Sequence, residues 1–410
     1  MPVVGLASLA GSHLVISASG VRGFSYFGLI ASVPSLMPIS DFGLSAAVTD
    51  AAAKYGPIDH RTHSEFEAAT KRLVFVGLLG VILAAIPTLF GLWHVVLNVR
   101  ASASLNMGTY IILAEFLLAL PLGVGQRLLL GLNRQGLATL LQSLGTVISV
   151  LSMYFYYLSG GTDFIVYGVV FSGGPAIGNG LCWLVAKSTL SKTLKSSSLQ
   201  TRAITEDLKR VALPMAIISI VLPLVFQSDR LLISWLTTRS ELDDYSVACV
   251  LFFPLLSLSQ VSGQTLWPIF LKSKVTGGDI KNDYSTSLYL FGVLGLIIGC
   301  GYGAVGPWAM AIVSGQRTHS HSLFIMFAVF LVVFTVATPA GMFLMDERGR
   351  MWQAKESVAA LILKVALTCF LTPTYGAFGA ILATLLALTV CLYLPNWIAV
   401  KRRLSPGSQQ

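Results

Sequence analysis

The chain has 410 residues, of which 55% are apolar and only 11% charged, and its formal net charge is +9. Soluble globular domains carry roughly 25% charged residues, so most of this surface cannot face water, and a soluble enzyme or a nucleic-acid-binding domain is excluded. The apolar residues fall in blocks long enough to cross a bilayer core, which takes ~20 helical residues.

In chain order the blocks predict spans over 2–20, 24–48, 72–93, 106–126, 138–158, 163–186, 211–236, 245–271, 284–308, 320–345, 354–372 and 376–398. The start lacks the basic n-region and small-residue cleavage site of a secretory signal, so the first block reads as a span. Connections are short except 187–210, rich in Ser, Thr and Lys. The expected division is a six-helix lobe over 1–186, a cytoplasmic linker over 187–210, a second six-helix lobe over 211–398 and a cytoplasmic tail over 399–410. Cations support the count: loops on one side, the tail included, hold 21 Lys and Arg, and loops on the other hold 4 (Arg22, Arg100, Arg239 and Arg317). Basic loops stay cytoplasmic, which places both termini in the cytoplasm.

Thirteen of the sixteen prolines fall within or at the ends of spans. Proline removes a backbone donor and bends a helix, and in lipid the freed carbonyls need a neighbouring helix or a wet cavity. That pattern fits a bundle around a path; it also fits the general frequency of Pro in membrane helices. The halves echo each other faintly: Tyr26 precedes Pro34 by eight residues at the start of span two, and Tyr245 precedes Pro254 by nine at the start of span eight.

No phosphate loop, HExxH or dinucleotide-binding glycine pattern is present, so no cofactor is expected, and transport without an ATP site is secondary or gradient-driven unless a partner subunit supplies energy. The loops on the cation-poor side are too short for the acceptor domain of a membrane glycosyltransferase or polymerase. Five cysteines lie in apolar blocks without a CxxC pair and read as small core residues. The six histidines form no ligand cluster; His60 and His63, near Glu65 and Glu67, read as a solvated face. Tryptophans at span ends, Trp93 among them, read as interface anchors, and Trp267 alternatively as a sugar-stacking ring.

The informative residues are ionisable groups inside spans, which are costly in lipid and face the bundle interior. Asp41 lies toward the cytoplasmic end of span two, Glu115 near the middle of span four, Asp229 and Arg230 in span seven, and Lys364 near the middle of span eleven. Asp41 is either a site or an interfacial cap. Glu115 is either a coupling acid or a neutral hydrogen-bonded one. Lys364 either faces a cavity or snorkels to an interface. Arg230 stays charged and can grip a phosphate through its fork, or it forms a structural salt bridge.

The stretch YFGLIASVPSLMPISDFGLSAAV resembles the second helix of Wzx-type polysaccharide (O-antigen) flippases. LPLVFQSDRLLISWL and YSVACVLFFPLLSLSQVSGQTLWPIF resemble their seventh and eighth helices. These blocks fit across about two thirds of the chain. They depart from the pattern in a short first span beginning almost at Met1, and in Arg22, where the family often has an acidic residue. The resemblance places the chain in the polysaccharide transporter branch of the multidrug/oligosaccharidyl-lipid/polysaccharide exporter superfamily. It implies an all-α membrane fold: about twelve helices in two six-helix lobes, a MATE-like V-shaped bundle. It implies a flippase of the bacterial inner membrane moving undecaprenyl-diphosphate-linked oligosaccharides for surface polysaccharide biosynthesis. Arg230, Lys364 and Arg22 are then the candidate substrate-binding cations, and Asp41, Glu115 and Asp229 the candidate ion-coupling acids. Expected partners are the lipid-linked oligosaccharide, membrane lipids, and a polysaccharide polymerase or chain-length protein; the chain is expected to act as a monomer. A multidrug/cation antiporter of the same fold is the alternative.

Overall fold

A computed structural model describes residues 2–36, 44–99, 102–190, 204–267, 269–270, 273, 278–314 and 321–405. Asp41 and most of the expected linker, 191–203, lie outside these residues. Among the described residues every regular element is a helix, and ten helices are long and apolar enough to cross a membrane. They are the helices of a multi-pass membrane protein.

The chain forms two compact units, Met1–Leu224 and Val225–Gln410. The first holds α1 (Pro2–Leu36), α2 (Leu44–Tyr55), α3 (His60–Leu89), α4 (Trp93–Leu97) and α5 (Ala103–Ala119). A 3-10 turn at Leu120–Leu122 leads into α6 (Gly123–Gly131), α7 (Gln135–Leu158) and α8 (Phe164–Leu190). Helix α9 (Ile204–Leu236) begins in the first unit and ends in the second, which continues with α10 (Arg239–Gln264), α11 (Ile280–Ser314), α12 (His321–Phe343) and α13 (Glu347–Leu388). A π-turn at Thr389–Tyr393 joins α13 to α14 (Leu394–Leu404).

Two of the ten candidate spans are broken by one glycine each. Gly20 sits at φ 72°, ψ 176° inside α1, and Gly376 at φ 60°, ψ −144° inside α13. Side chains other than hydrogen rarely tolerate such angles. Counting each broken helix as two gives twelve segments among the described residues, and the breaks fall where the sequence predicts spans one and eleven to end and their successors to begin. Helices also overrun the predicted spans. Asp59 caps α3 by accepting from the Arg61 amide at 2.8 Å, so that helix starts a dozen residues before the apolar block at 72. In span four, Pro121 tightens the chain into the 3-10 turn rather than ending the span.

In the first unit, Val48, Phe66, Leu73, Val124, Leu128 and Ala186 form a core joining α2, α3, α6 and α8. Helices α7 and α8 meet through glycines: a Cβ on Gly145 would lie 2.3 Å from the Gly174 carbonyl oxygen and 2.5 Å from the Gly178 nitrogen. Small residues that let backbones touch are the usual means of packing helices in lipid. Large apolar side chains such as Phe75, Ile82 and Ile86 of α3 stay exposed, as a lipid-facing surface requires. Trp93 is a correction to the interface-anchor reading. It is buried, its indole N–H donating to the Thr88 hydroxyl at 2.8 Å, because the short α4 returns the chain after the turn at Gly91. Of the cysteines, Cys182 and Cys249 are buried as expected, but Cys300 and Cys369 are exposed on apolar helix surface.

In the second unit the core is aromatic. Phe252 of α10 lies 4.5 Å, centroid to centroid, from Phe327 and 5.6 Å from Phe330 of α12, and Tyr302 of α11 stacks on Phe324 at 5.7 Å. Ser259 and Thr335 share a buried hydrogen bond at 2.9 Å.

Each unit is also fastened at a connection. In the first, the Ser19 hydroxyl beside the Gly20 break donates to the Thr162 carbonyl, between α7 and α8, at 2.6 Å. In the second, the Glu241 carboxylate at the start of α10 accepts from the Ala377 amide just past the Gly376 break, at 2.8 Å. These are equivalent joints: the connection between the first pair of segments is tied to that of the last pair. They extend the faint likeness of the halves that Tyr26–Pro34 and Tyr245–Pro254 show in sequence.

Candidate functional site

The first unit holds a half-open cavity of about 400 Å³. Its polar lining comes from Ser45 of α2, Gln126 and Arg127 of α6, and Ser172 and Asn179 of α8; Phe116 and Phe171 supply aromatic wall. Pro34 of α1 and Pro175 of α8 also line it. Both stand inside helices, where each deprives a carbonyl one turn back of its donor, and a polar cavity is a place where such carbonyls are tolerated in a membrane. Glu115 of α5 stands behind this wall and accepts a hydrogen bond from the Ser172 hydroxyl. Gln142 of α7 donates to the Asn179 side-chain carbonyl at 3.2 Å, fixing that amide.

The second unit holds a buried charge cluster. Asp229 of α9 is 1% exposed and Lys364 of α13 is 0% exposed. The Lys364 ammonium lies 2.7 Å from Asp229 Oδ1 and also donates to the Ser228 hydroxyl. The Thr384 hydroxyl donates to Asp229 Oδ2 at 3.1 Å, and the Tyr245 hydroxyl donates to the same oxygen at 3.4 Å. One carboxylate thus receives an ammonium and two hydroxyls, which is how a charge survives in a medium where burial is costly. Lys364 does not snorkel: its ammonium points at Asp229 in the interior.

Arg230, next along α9, points elsewhere, since adjacent helical residues diverge by about 100°. It is half-buried, with its guanidinium 5.5 Å from the Phe253 ring centroid of α10, within cation–π range. Arg22 is exposed, two residues past the Gly20 break, and lies outside both the cavity lining and the cluster. The structure therefore brings Asp229 and Lys364 together and keeps Glu115 and Arg22 apart from them. Sequence reasoning missed Ser45, Gln126, Arg127, Ser172 and Asn179 in the cavity, and Ser228, Tyr245 and Thr384 around the pair. Hydroxyl and amide residues are common in membrane helices, and a partner 136 or 155 positions away leaves no local signal.

The described fold is that of known transporters. An inward-facing multidrug resistance MATE family transporter of the MOP superfamily matches with a TM-score of 0.65 at 13% identity, covering 98% of this chain and 96% of that one. The lipid II flippase MurJ, in an inward closed conformation, matches with a TM-score of 0.70 at 12% identity, covering 97% and 86%. A MOP superfamily transporter from Pyrococcus furiosus, described as having a binding pocket of reverse polarity, matches with a TM-score of 0.59 at 14% identity, covering 97% and 94%. Identities this low establish the fold alone. No curated protein matches in sequence. The family described as polysaccharide biosynthesis protein matches residues 20–274, well over half of the chain. With its helices, cavity and buried ion pair arranged on this transporter fold, the chain belongs to the polysaccharide biosynthesis protein family.

Proposed function

We propose that the protein is a secondary flippase that carries undecaprenyl-diphosphate-linked oligosaccharides across the bacterial inner membrane for surface polysaccharide assembly. The observation that carries this reading is the chemistry of the first-unit cavity. Hydroxyls, side-chain amides and one guanidinium, set between Phe116 and Phe171, are the groups that recognise sugar hydroxyls, sugar faces and phosphate. A volume of about 400 Å³ falls in the range of small-molecule sites, roughly 300–1,000 Å³. The lipid tail stays in the bilayer while the headgroup enters, and Arg127 offers its cation to the diphosphate; Arg230, in the second unit, is a separate candidate cation. The six-helix lobes flank the 187–210 linker, which lies in the cytoplasm with both termini.

Lys364 contributes differently from a free cavity cation: its charge is matched by Asp229. Glu115 remains the first-unit candidate for a coupling proton or cation. Its carboxylate behind Ser172 is also the observation that favours the second reading, a multidrug/cation antiporter. The test is complementation of a flippase-null strain with Arg127→Ala and Arg230→Ala variants. Loss of surface polysaccharide at normal membrane expression is the expected result. Full complementation by both variants refutes the headgroup assignment, and efflux of a cationic dye by the wild type in its place favours the antiporter.

A further inference from the structure

Helix α13 carries a row of residues at one-turn spacing: Glu356, Ala360, Lys364, Thr368 and Thr372, continued by Gly376 at the break. Residues four apart are neighbours on a helix surface, so the row is a continuous ridge that turns about 40° around the helix at each step. Glu356 is 9% exposed and the next four are 0% exposed. Four of these five buried positions carry a polar group. From Glu356 to Gly376 the ridge rises ~30 Å at ~1.5 Å per residue, the thickness of a bilayer's hydrocarbon core.

Threonine in a helix commonly returns its hydroxyl to a carbonyl one turn back. Thr335 and Thr338 of α12 do so, at 2.7 and 2.9 Å. Thr368 and Thr372 do not: both hydroxyl oxygens are buried without a hydrogen-bond partner, while the buried Glu356 carboxylate meets the Trp352 indole. Buried polar atoms are nearly always satisfied. Two such hydroxyls in one row, with the buried Glu356 at one end and the Asp229–Lys364 pair at its middle, mark an interior built for an occupant that donates and accepts hydrogen bonds.

The ends of the row are acidic. At one end stands Glu356, faced by the Trp352 indole from its own helix and the Cys391 thiol from the π-turn. At the other, Glu241 lies so close that a Cβ on Gly376 would fall 2.3 Å from its Oε2. The other charged or titratable groups around the pair are Arg230 of α9 and Tyr245 and Cys249 of α10.

We propose that this row is a proton path through the second unit. Internal water held by the Thr368 and Thr372 hydroxyls joins Asp229–Lys364 to Glu241, further water past Ala360 joins the pair to Glu356, and protons enter and leave at the two acids. Each transfer breaks one O–H or N–H bond as it forms another. A proton accepted at one end is matched by one released at the other, and the pair regains its charges. The path holds whatever the cargo is.

The test uses the full-length protein in lipid nanodiscs with Thr368→Val and Thr372→Val, singly and together. Valine matches threonine in shape, and no protein group is left unsatisfied when these hydroxyls are removed, so thermal stability is expected to change little. Radiolytic hydroxyl-radical labelling modifies buried side chains only where water adjoins them. Tyr245, 1% exposed, should be modified several-fold more than Tyr302, 3% exposed with its hydroxyl bonded to the Ala248 carbonyl. The excess should vanish in the double Val variant and persist in Thr368→Ser/Thr372→Ser, which also serves if the Val variants misfold. In parallel, a pH jump followed by infrared spectroscopy reads the protonated-carboxyl band that Glu356→Gln abolishes. Its appearance should slow several-fold in the Val variants. Equal labelling of Tyr245 and Tyr302 overturns the water path, and unchanged protonation kinetics overturns the proton role.

Discussion

Removing one partner of the Asp229–Lys364 pair exposes how the second unit holds its charges. The ammonium and carboxylate are 2.7 Å apart, with side-chain exposures of 0% and 2%. At an effective dielectric of ~20 the attraction is about 6 kcal/mol, and desolvation of the two ions offsets several kcal/mol each. The intact pair is therefore close to neutral for stability, whereas a lone buried charge costs ~3–5 kcal/mol. The two single substitutions should not be equal. Lys364→Met leaves Asp229 with the Thr384 and Tyr245 hydroxyls, so its cost should lie near the lower end of that range. Asp229→Asn leaves the ammonium with the Ser228 hydroxyl and an uncharged amide, so its cost should lie near the upper end. The double variant removes both charges and should recover most of the loss. The assay is thermal denaturation of the purified protein in detergent, followed by size-exclusion chromatography and assembled as a double-mutant cycle. Additive losses, or single variants as stable as wild type, refute the pairing argument.

Further outcomes follow from the same geometry. Gly376→Ala forces a Cβ onto Glu241 at a backbone angle that favours glycine, so folded yield should collapse; normal yield contradicts the break. Glu241→Ala removes an acceptor for the Ala377 amide and should cost ~1 kcal/mol, as loss of a helix cap does, read as a modest fall in denaturation midpoint. Gly145→Ala drives α7 and α8 apart and should lower monodisperse yield sharply, while Gly136→Ala, where a Cβ meets nothing within 4 Å, should not. Thr335→Val removes the bonds to Ser259 and to the Leu331 carbonyl and should cost only about 1 kcal/mol, at ~0.6 kcal/mol per side-chain hydrogen bond in a membrane protein; a loss of several kcal/mol contradicts that count.

The fold is legible in the sequence because lipid leaves few options. Apolar blocks must be helices, and loop charge orders them. The break at Gly376 is anticipated only as a gap between predicted spans; that a single residue makes it depends on φ, which composition does not encode. Chemistry in the interior is less legible. Burial cost makes Asp229, Glu115 and Lys364 conspicuous one by one, but the pairing of Asp229 with Lys364 joins α9 to α13 across 135 residues. The first-unit cavity is lined by Ser, Asn and Gln, types too common in such helices to stand out. Glu356 lies near the start of a span, where an acid reads as interfacial, and only its burial marks it.

The two fastenings, Ser19 to Thr162 and Glu241 to Ala377, have a mechanical consequence. Each unit is stitched at one rim, like a book at its spine. Helices tied there splay more readily at the opposite rim, so breathing within a unit admits solvent mainly from that side, and opening the tied side first gives up a hydrogen bond to a main-chain group.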